Sequence, residues 1–475
     1  MEMNGDMQAP NILWICTDQQ RYDTIGALGN PYINTPNLDR LCAEGTAFTH
    51  AFSQSPVCTP SRACFLTGMY PTTVHGRQNG QALPPDGDLL ITHMLRDEGW
   101  DCGLAGKLHL AVCDKHVEPR TDDGYRVFHW SHHPPADWAE NAYTQWHEAR
   151  GKSWEELYGE RDGYWDAGCP AEYHQTKWCA DMAIDFMTEQ RDGPWLMSVN
   201  PFDPHPAFDP PEEYLCRYDP ADMPLPAYVS GELDNKPTFQ QVIKGSGSLS
   251  YARATEDDLR GIVAAYYAMI EQIDDHVGRM LEALEETGQR ENTVVVFHSD
   301  HGEMLGDHGI IRKGPYFYDC AVRVPLIISW PGRFEQGVVS DALVELCDLT
   351  PTLLEACGLE PTERMQGRSF LPILTGEADP GEHRDSVFCE YYNAMPNHDH
   401  SAYGTMYRDR ARKLCVYHGR ARGQGELYDL QADPGEHENL WDDPRRADEK
   451  MELVLKCFDR SVFTMDPWPP RAGRF

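Results

Sequence analysis

The sequence predicts an α/β fold, a large and mostly parallel central sheet sandwiched by helices, followed by a small α+β domain with an antiparallel sheet. Three observations predict it. Short, continuously apolar runs at residues 11–16, 195–199 and 293–297 each end in a polar loop, the pattern of buried parallel strands with ligand loops at their carboxyl ends. Residues 256–286 carry apolar side chains at helical spacing, from Leu259, Ile262 and Val263 to Met280, Leu281 and Leu284, which predicts one long amphipathic helix. Beyond about Thr375 the texture changes to short strand-like runs at 387–392, 402–408 and 412–417 and a final helical stretch at 445–458, which suits an antiparallel sheet packed on the larger one. The expected division is 1–375 and 376–475, with a Trp-rich insertion at about 127–180.

Composition bounds the function. A formal charge of −35 over 475 residues excludes nucleic acid and anionic membrane surfaces as partners. If the substrate is an anion, cations must be concentrated locally in the site. No apolar run reaches the ~20 residues that span a bilayer. The first ten residues are polar and acidic, unlike a secretory signal. Fifteen cysteines, an odd number without C-x-x-C pairs, read as mostly reduced thiols and predict a cytoplasmic protein.

The first run delivers Asp18 and Gln19 to its loop; Asp18 alone could also cap a turn. Thr35-Pro36-Asn37-Leu38-Asp39 reads as a capped helix start serving packing. In Cys58-Thr59-Pro60-Ser61-Arg62, continued by Leu66-Thr67-Gly68, a thiol and an arginine stand where a helix at 63–67 could begin, and helix N-termini favour anions. Gly76-Arg77-Gln78-Asn79-Gly80 is a turn-rich loop. Gly106-Lys107-Leu108-His109 follows a strand-like stretch, and on an extended backbone Lys107 and His109 point to one side. Residues 127–177 carry Trp130, Trp138, Trp146, Trp154 and Trp165, with Trp178 at the edge. Indoles stacking on a sugar or aryl group would make this a lid or wall, and a subunit interface or satellite core fits equally. His205 lies in the Pro-rich loop after 195–199, and Gly245-Ser246-Gly247-Ser248 reads as a flexible break. The run at 293–297 delivers Ser299-Asp300-His301-Gly302-Glu303, and Arg312-Lys313-Gly314 follows. Asp348-Leu349-Thr350-Pro351 reads as a helix start with Pro in its first turn.

In this order, T-P-N-L-D-x-L, C-x-P-S-R with L-T-G, G-K-x-H, the Pro-His loop, S-D-H-G-E and the later lysine resemble the type I sulfatases of the alkaline phosphatase superfamily, over most of the chain. The resemblance implies an alkaline-phosphatase-like fold and a sulfuric ester hydrolase. It implies that Cys58 is oxidised to formylglycine by a formylglycine-generating enzyme. One hydroxyl of the hydrated aldehyde attacks sulfur and the other expels sulfate, dividing a hard step into two.

The implied metal ligands are Asp18, Gln19, Asp300, His301 and the residue at Cys58. Gln19 departs from the usual second acid, but its carbonyl oxygen can still ligate a hard cation. Calcium is the first expectation, with manganese or magnesium as alternatives. Arg62 and His109 are implied to position the nucleophile, Lys107 and Lys313 to bind sulfate, His205 to protonate the departing alcohol, and Asn79 to donate to a substrate oxygen. The implied substrate is a small anionic sulfate ester, of a sugar or an aryl alcohol, and a homo-oligomer is compatible. Phosphonate monoester hydrolases share the Cys motif and the Asp-Gln start but lack the Lys-x-His pair. Phosphonate or phosphate ester hydrolysis and a binding protein with unmodified Cys58 therefore stay open as alternatives.

Overall fold

The computed structural model describes residues 9–81, 89–133, 138–159, 163–240, 250–395, 402–419 and 421–466. The expected break at Gly245–Ser248 lies outside them. A nine-stranded sheet in the order β4-β3-β5-β1-β6-β7-β2-β8, with β9 beside β2, forms the centre. Its strands are β1 Asn11–Thr17, β2 Thr46–Phe52, β3 Asp101–Gly106, β4 Val127–Trp130, β5 Trp195–Asn200, β6 Thr293–Ser299, β7 Arg323–Ser329, β8 Val338–Ser340 and β9 Val344–Glu345. Neighbours from β4 through β6 pair in parallel, whereas β7 runs antiparallel to both β6 and β2. It follows that β1, β2, β3, β5 and β6 point the same way, and the loops after them open on one rim of the sheet.

The strands are apolar throughout because both faces are covered. Ile12, Trp14, Cys16, Val294 and Val296 pack into one layer with Ala63, Phe65, Leu66, Ile91, Leu95, Leu349 and Leu353. Their alternates Leu13, Ile15, Val295 and Phe297 meet Leu38, Leu41, Trp178, Ala183, Ile273, Val277 and Leu281 on the other side. The long helix is Glu256–Glu286, opened by a capping box between Thr255 and Asp258. The helix Pro36–Ala43 is not capped by the Thr35 side chain. Instead the Asp274 carboxylate, from the long helix, accepts from Asn37 N at 3.1 Å and Leu38 N at 2.7 Å, so a tertiary contact replaces the local cap.

A second sheet, β10 Val387–Tyr392, β11 Ala402–Arg408, β12 Arg412–Gly419 and β13 Gly425–Asp429, is an antiparallel meander in sequence order. The helix Ala447–Phe463 buries Leu453 and Cys457 near it. All fifteen cysteines are free thiols. Among the described residues no helix is long and apolar enough to cross a membrane.

Candidate active site

The expected helix after the Cys58 motif begins earlier than the sequence suggested. It spans Cys58–Thr67 with Val57 as its N-cap, so Cys58 occupies the first turn and the helix dipole favours negative charge there. Asn79 Oδ1 accepts from Thr59 N at 3.0 Å; its carbonyl is spent on the helix start, and its amide hydrogens are the part that can serve a ligand.

Cys58 Sγ lies 3.2 Å from His301 Nε2, 3.0 Å from Lys313 Nζ and 3.6 Å from Asp18 Oδ1. Asp18, Cys58, Asp300 and His301 are all buried, and their donor atoms lie within 4.8 Å of one another. His301 Nδ1 faces the Gly302 carbonyl at 2.9 Å; that hydrogen bond turns Nε2 toward the cluster, as a metal-ligating imidazole requires. Gln19, at a left-handed φ of 73°, points its Oε1 at Lys313 Nζ, 2.6 Å away. Its amide nitrogen donates to Glu303, whose other oxygen accepts from Leu305 N at 2.9 Å. Two carboxylates, an amide oxygen and an imidazole fit a hard divalent cation.

The cations surround this group. Lys107 Nζ pairs with Asp18 Oδ2. Arg62 is 1% exposed. Its Nε donates to Asp300 Oδ2 at 2.9 Å and its Nη1 to the Lys107 carbonyl at 2.8 Å, so it holds two site loops together behind the cluster. Burial and Asp18 push the Cys58 thiol up, but Lys107, Lys313 and His301 outweigh them and hold it at about 5. Burial would also raise Asp18, yet Lys107, Lys313, His205 and Arg62 hold it well below the usual carboxylate range.

Cys58, Asn79, Lys107, His109, His205 and Lys313 line one pocket. Lys107 and His109 do not share an extended backbone, because His109 has φ 57°. The Glu118 carboxylate clamps that turn, accepting from His109 N at 2.6 Å, Leu110 N at 2.7 Å, Ala111 N at 2.9 Å and Trp130 Nε1 at 2.6 Å. Gly106 permits the approach: a Cβ there would meet the Asn200 carbonyl oxygen at 2.0 Å. His205 Nδ1 faces the Pro206 carbonyl at 2.7 Å. Burial, then Lys313 and Lys107, lower its pKa well below the ordinary imidazole value.

The rest of the wall was not read from the sequence. His132, His133, Tyr158 and His174 come from the Trp-rich insertion and its edge, and Phe202, Asp203 and Asp209 from the Pro-rich loop. Burial and Asp209 push Asp203 up to about 8. The insertion therefore walls the pocket, but not with indole faces. Trp138 stacks on Trp130, Trp146 on Tyr143 and Trp154 on Tyr158, while Trp165 fills the space beside Gly261 and Trp178 is buried.

Residues 10–359 match the family described as Sulfatase. The chain belongs to the sulfatase family. It is a sulfuric ester hydrolase of the alkaline phosphatase superfamily, and residues 306–460 also match the family described as N-sulphoglucosamine sulphohydrolase, C-terminal. An arylsulfatase of Clostridium perfringens is 30% identical over 448 residues, covering 91% of this sulfatase and 90% of that protein. A multifunctional alkaline phosphatase superfamily protein of Trinickia caryophylli is 29% identical, over 93% of both chains. Among solved structures, the phosphonate monoester hydrolase of Agrobacterium radiobacter superposes with a TM-score of 0.83 at 28% identity, over 96% of both chains.

Proposed function

We propose that this sulfatase hydrolyses the sulfate ester of a small sugar or aryl alcohol, with formylglycine at position 58 and a divalent cation, calcium first, at Asp18, Gln19, Asp300 and His301. The observation that carries the reading is the charge arrangement at Cys58. Its Sγ lies 3.0 Å from Lys313 Nζ and 3.2 Å from His301 Nε2, among the buried Asp18, Asp300 and His301 and beside the Lys107–Asp18 pair, where an oxygen of the hydrated aldehyde would sit. Once formed, the diol supplies the nucleophile, and the cation supplies positive charge against the sulfuryl oxygens.

The protein's own groups do the rest. Lys107 and Lys313 bind sulfate oxygens and meet the charge that builds on them. Arg62 fixes Asp300 and the Lys107 loop, and His109 holds the nucleophilic oxygen. His205, its Nδ1 turned to the Pro206 carbonyl, presents Nε2 to the leaving oxygen. An anionic ester between the two lysines offsets their field on His205 and raises its capacity to hold and deliver a proton. Asn79 offers an amide donor to the ester. The Pro-rich loop and the histidine wall exclude water around the leaving group.

A second reading has its own support. Gln19 replaces the usual second acid, and a phosphonate monoester hydrolase is a near structural neighbour at 28% identity, so phosphonate ester hydrolysis is a candidate for the same pocket. Turnover of sugar sulfates, aryl sulfates, sulfamates, phosphate monoesters and phosphonate monoesters by purified protein separates them. The sulfate reading expects the highest kcat/KM on a sulfate ester; a phosphonate ester preferred over every sulfate would overturn it.

We further propose a domain boundary near Thr375, ahead of the β10–β13 sheet, maturation by a formylglycine-generating enzyme, and a cytoplasmic setting compatible with the free thiols of the other fourteen cysteines.

A further inference from the structure

We propose a second metal site, of a softer kind, in the pocket wall: His109, Cys113 and His132 bind a zinc-class transition cation. Donor atoms of the three side chains lie within 4.8 Å of one another. The two imidazoles meet edge to face with centroids 4.4 Å apart. His109 Nδ1 and His132 Nε2 are buried without a hydrogen-bond partner among the described residues. A buried polar nitrogen left unpaired costs about 1–3 kcal/mol, so two of them beside one thiol call for a common partner. The local structure fixes them there. Glu118 clamps the backbone of His109, and His132 has its Nδ1 against His133 Nδ1 at 2.9 Å, which leaves Nε2 as its remaining nitrogen.

Two nitrogens and a sulfur select zinc or a similar cation over calcium or magnesium. Tetrahedral bonds of about 2.0–2.3 Å need only small side-chain rotations from the spacing seen. His109 and His132 line the pocket and Cys113 is half-buried, which gives the cation a way in. This centre is separate from the oxygen-rich group around Asp18 and Asp300, and binding through His109 Nδ1 leaves Nε2 for the nucleophilic oxygen.

Cobalt reports the site directly, because a thiolate ligand gives Co2+ an intense near-ultraviolet charge-transfer band. The titration is done in excess Ca2+ on the Cys58→Ser protein, so that the thiol beside Asp18 cannot contribute. The expected result is a thiolate band saturating at one equivalent, competed away by Zn2+. The band disappears in Cys58→Ser/Cys113→Ser, and His132→Ala weakens binding at least about tenfold. No thiolate band, a band that survives Cys113→Ser, or unchanged affinity in His132→Ala would overturn the proposal. The readout needs no turnover, so it fails or stands independently of ester hydrolysis.

Discussion

At the scale of residues, two lysines and one arginine compensate a site that the rest of the molecule, at −35, makes hostile to anions. Lys107 pairs with Asp18, and Lys313 approaches both Asp18 and the position-58 side chain. Replacing either by alanine removes a preorganised charge from the reacting group. A loss of about 10²–10³-fold in kcat is expected for each, with little change in Tm, since each truncation also frees Asp18 to ligate the cation. Arg62 is different. Arg62→Ala leaves Asp300 buried without its partner, so both Tm and kcat fall, and a variant with Tm unchanged would show that its role is not structural. These positions were legible because their residue types recur in a fixed order on loops that follow apolar runs. The role of Glu303 was not legible, nor were Glu118 and the histidines of the wall. They act through tertiary hydrogen bonds, such as Gln19 to Glu303, which leave no spacing pattern in the chain.

At the scale of elements, the loop 107–111 depends on one carboxylate. Glu118 is buried with no cation partner among the described residues, and burial raises its pKa while four N–H groups satisfy it. Glu118→Ala strips all four acceptor contacts, so kcat/KM drops at least about tenfold and stability falls by about 1–3 kcal/mol; Glu118→Gln, keeping one oxygen, recovers part of both. Activity at the wild-type level in Glu118→Ala would contradict this account of the turn.

The junction between the two sheets is likewise polar and buried. Lys413 on β12 pairs with Asp319 and with Glu436 Oε1 at 2.5 Å. Lys413→Met leaves Glu436 without its lysine, while Asp319 keeps Arg408 and Arg323, and should cost about 3–5 kcal/mol by denaturant unfolding. Nearby, Glu232 accepts from His308 and His437, each at 2.9 Å. Burial opposes these donors, yet they lower Glu232 from 4.5 to about 2. A depressed carboxylate contributes stability above its unfolded value and loses it as pH falls through the folded one. The Tm difference between wild type and Glu232→Gln should therefore shrink between pH 5 and pH 2.5; a difference that grows on acidification would contradict it. The strands and the long helix were read from periodicity, because burial on two faces and one apolar stripe are written in the sequence. The Thr35 cap was misread, since Asp274, more than 200 positions away, supplies it.

At the scale of the molecule, the parallel order of β3, β5, β1 and β6 brings Lys107, His205, Asp18 and Asp300 to one rim, and β2 brings Cys58 there. A single sheet thereby assembles a site from loops spread over some 300 positions. Its hard-cation group predicts that chelation abolishes turnover and that Ca2+ restores it more fully than Mg2+; full activity after exhaustive chelation would exclude the cation from the reaction. Whether that site is a working sulfatase centre turns on the atom at position 58. The decisive measurement is the mass of the peptide that carries it, taken from protein with demonstrated ester turnover and co-expressed with a formylglycine-generating enzyme. The account predicts the mass of formylglycine, with activity proportional to its fraction; a peptide retaining the intact thiol in fully active protein would contradict it.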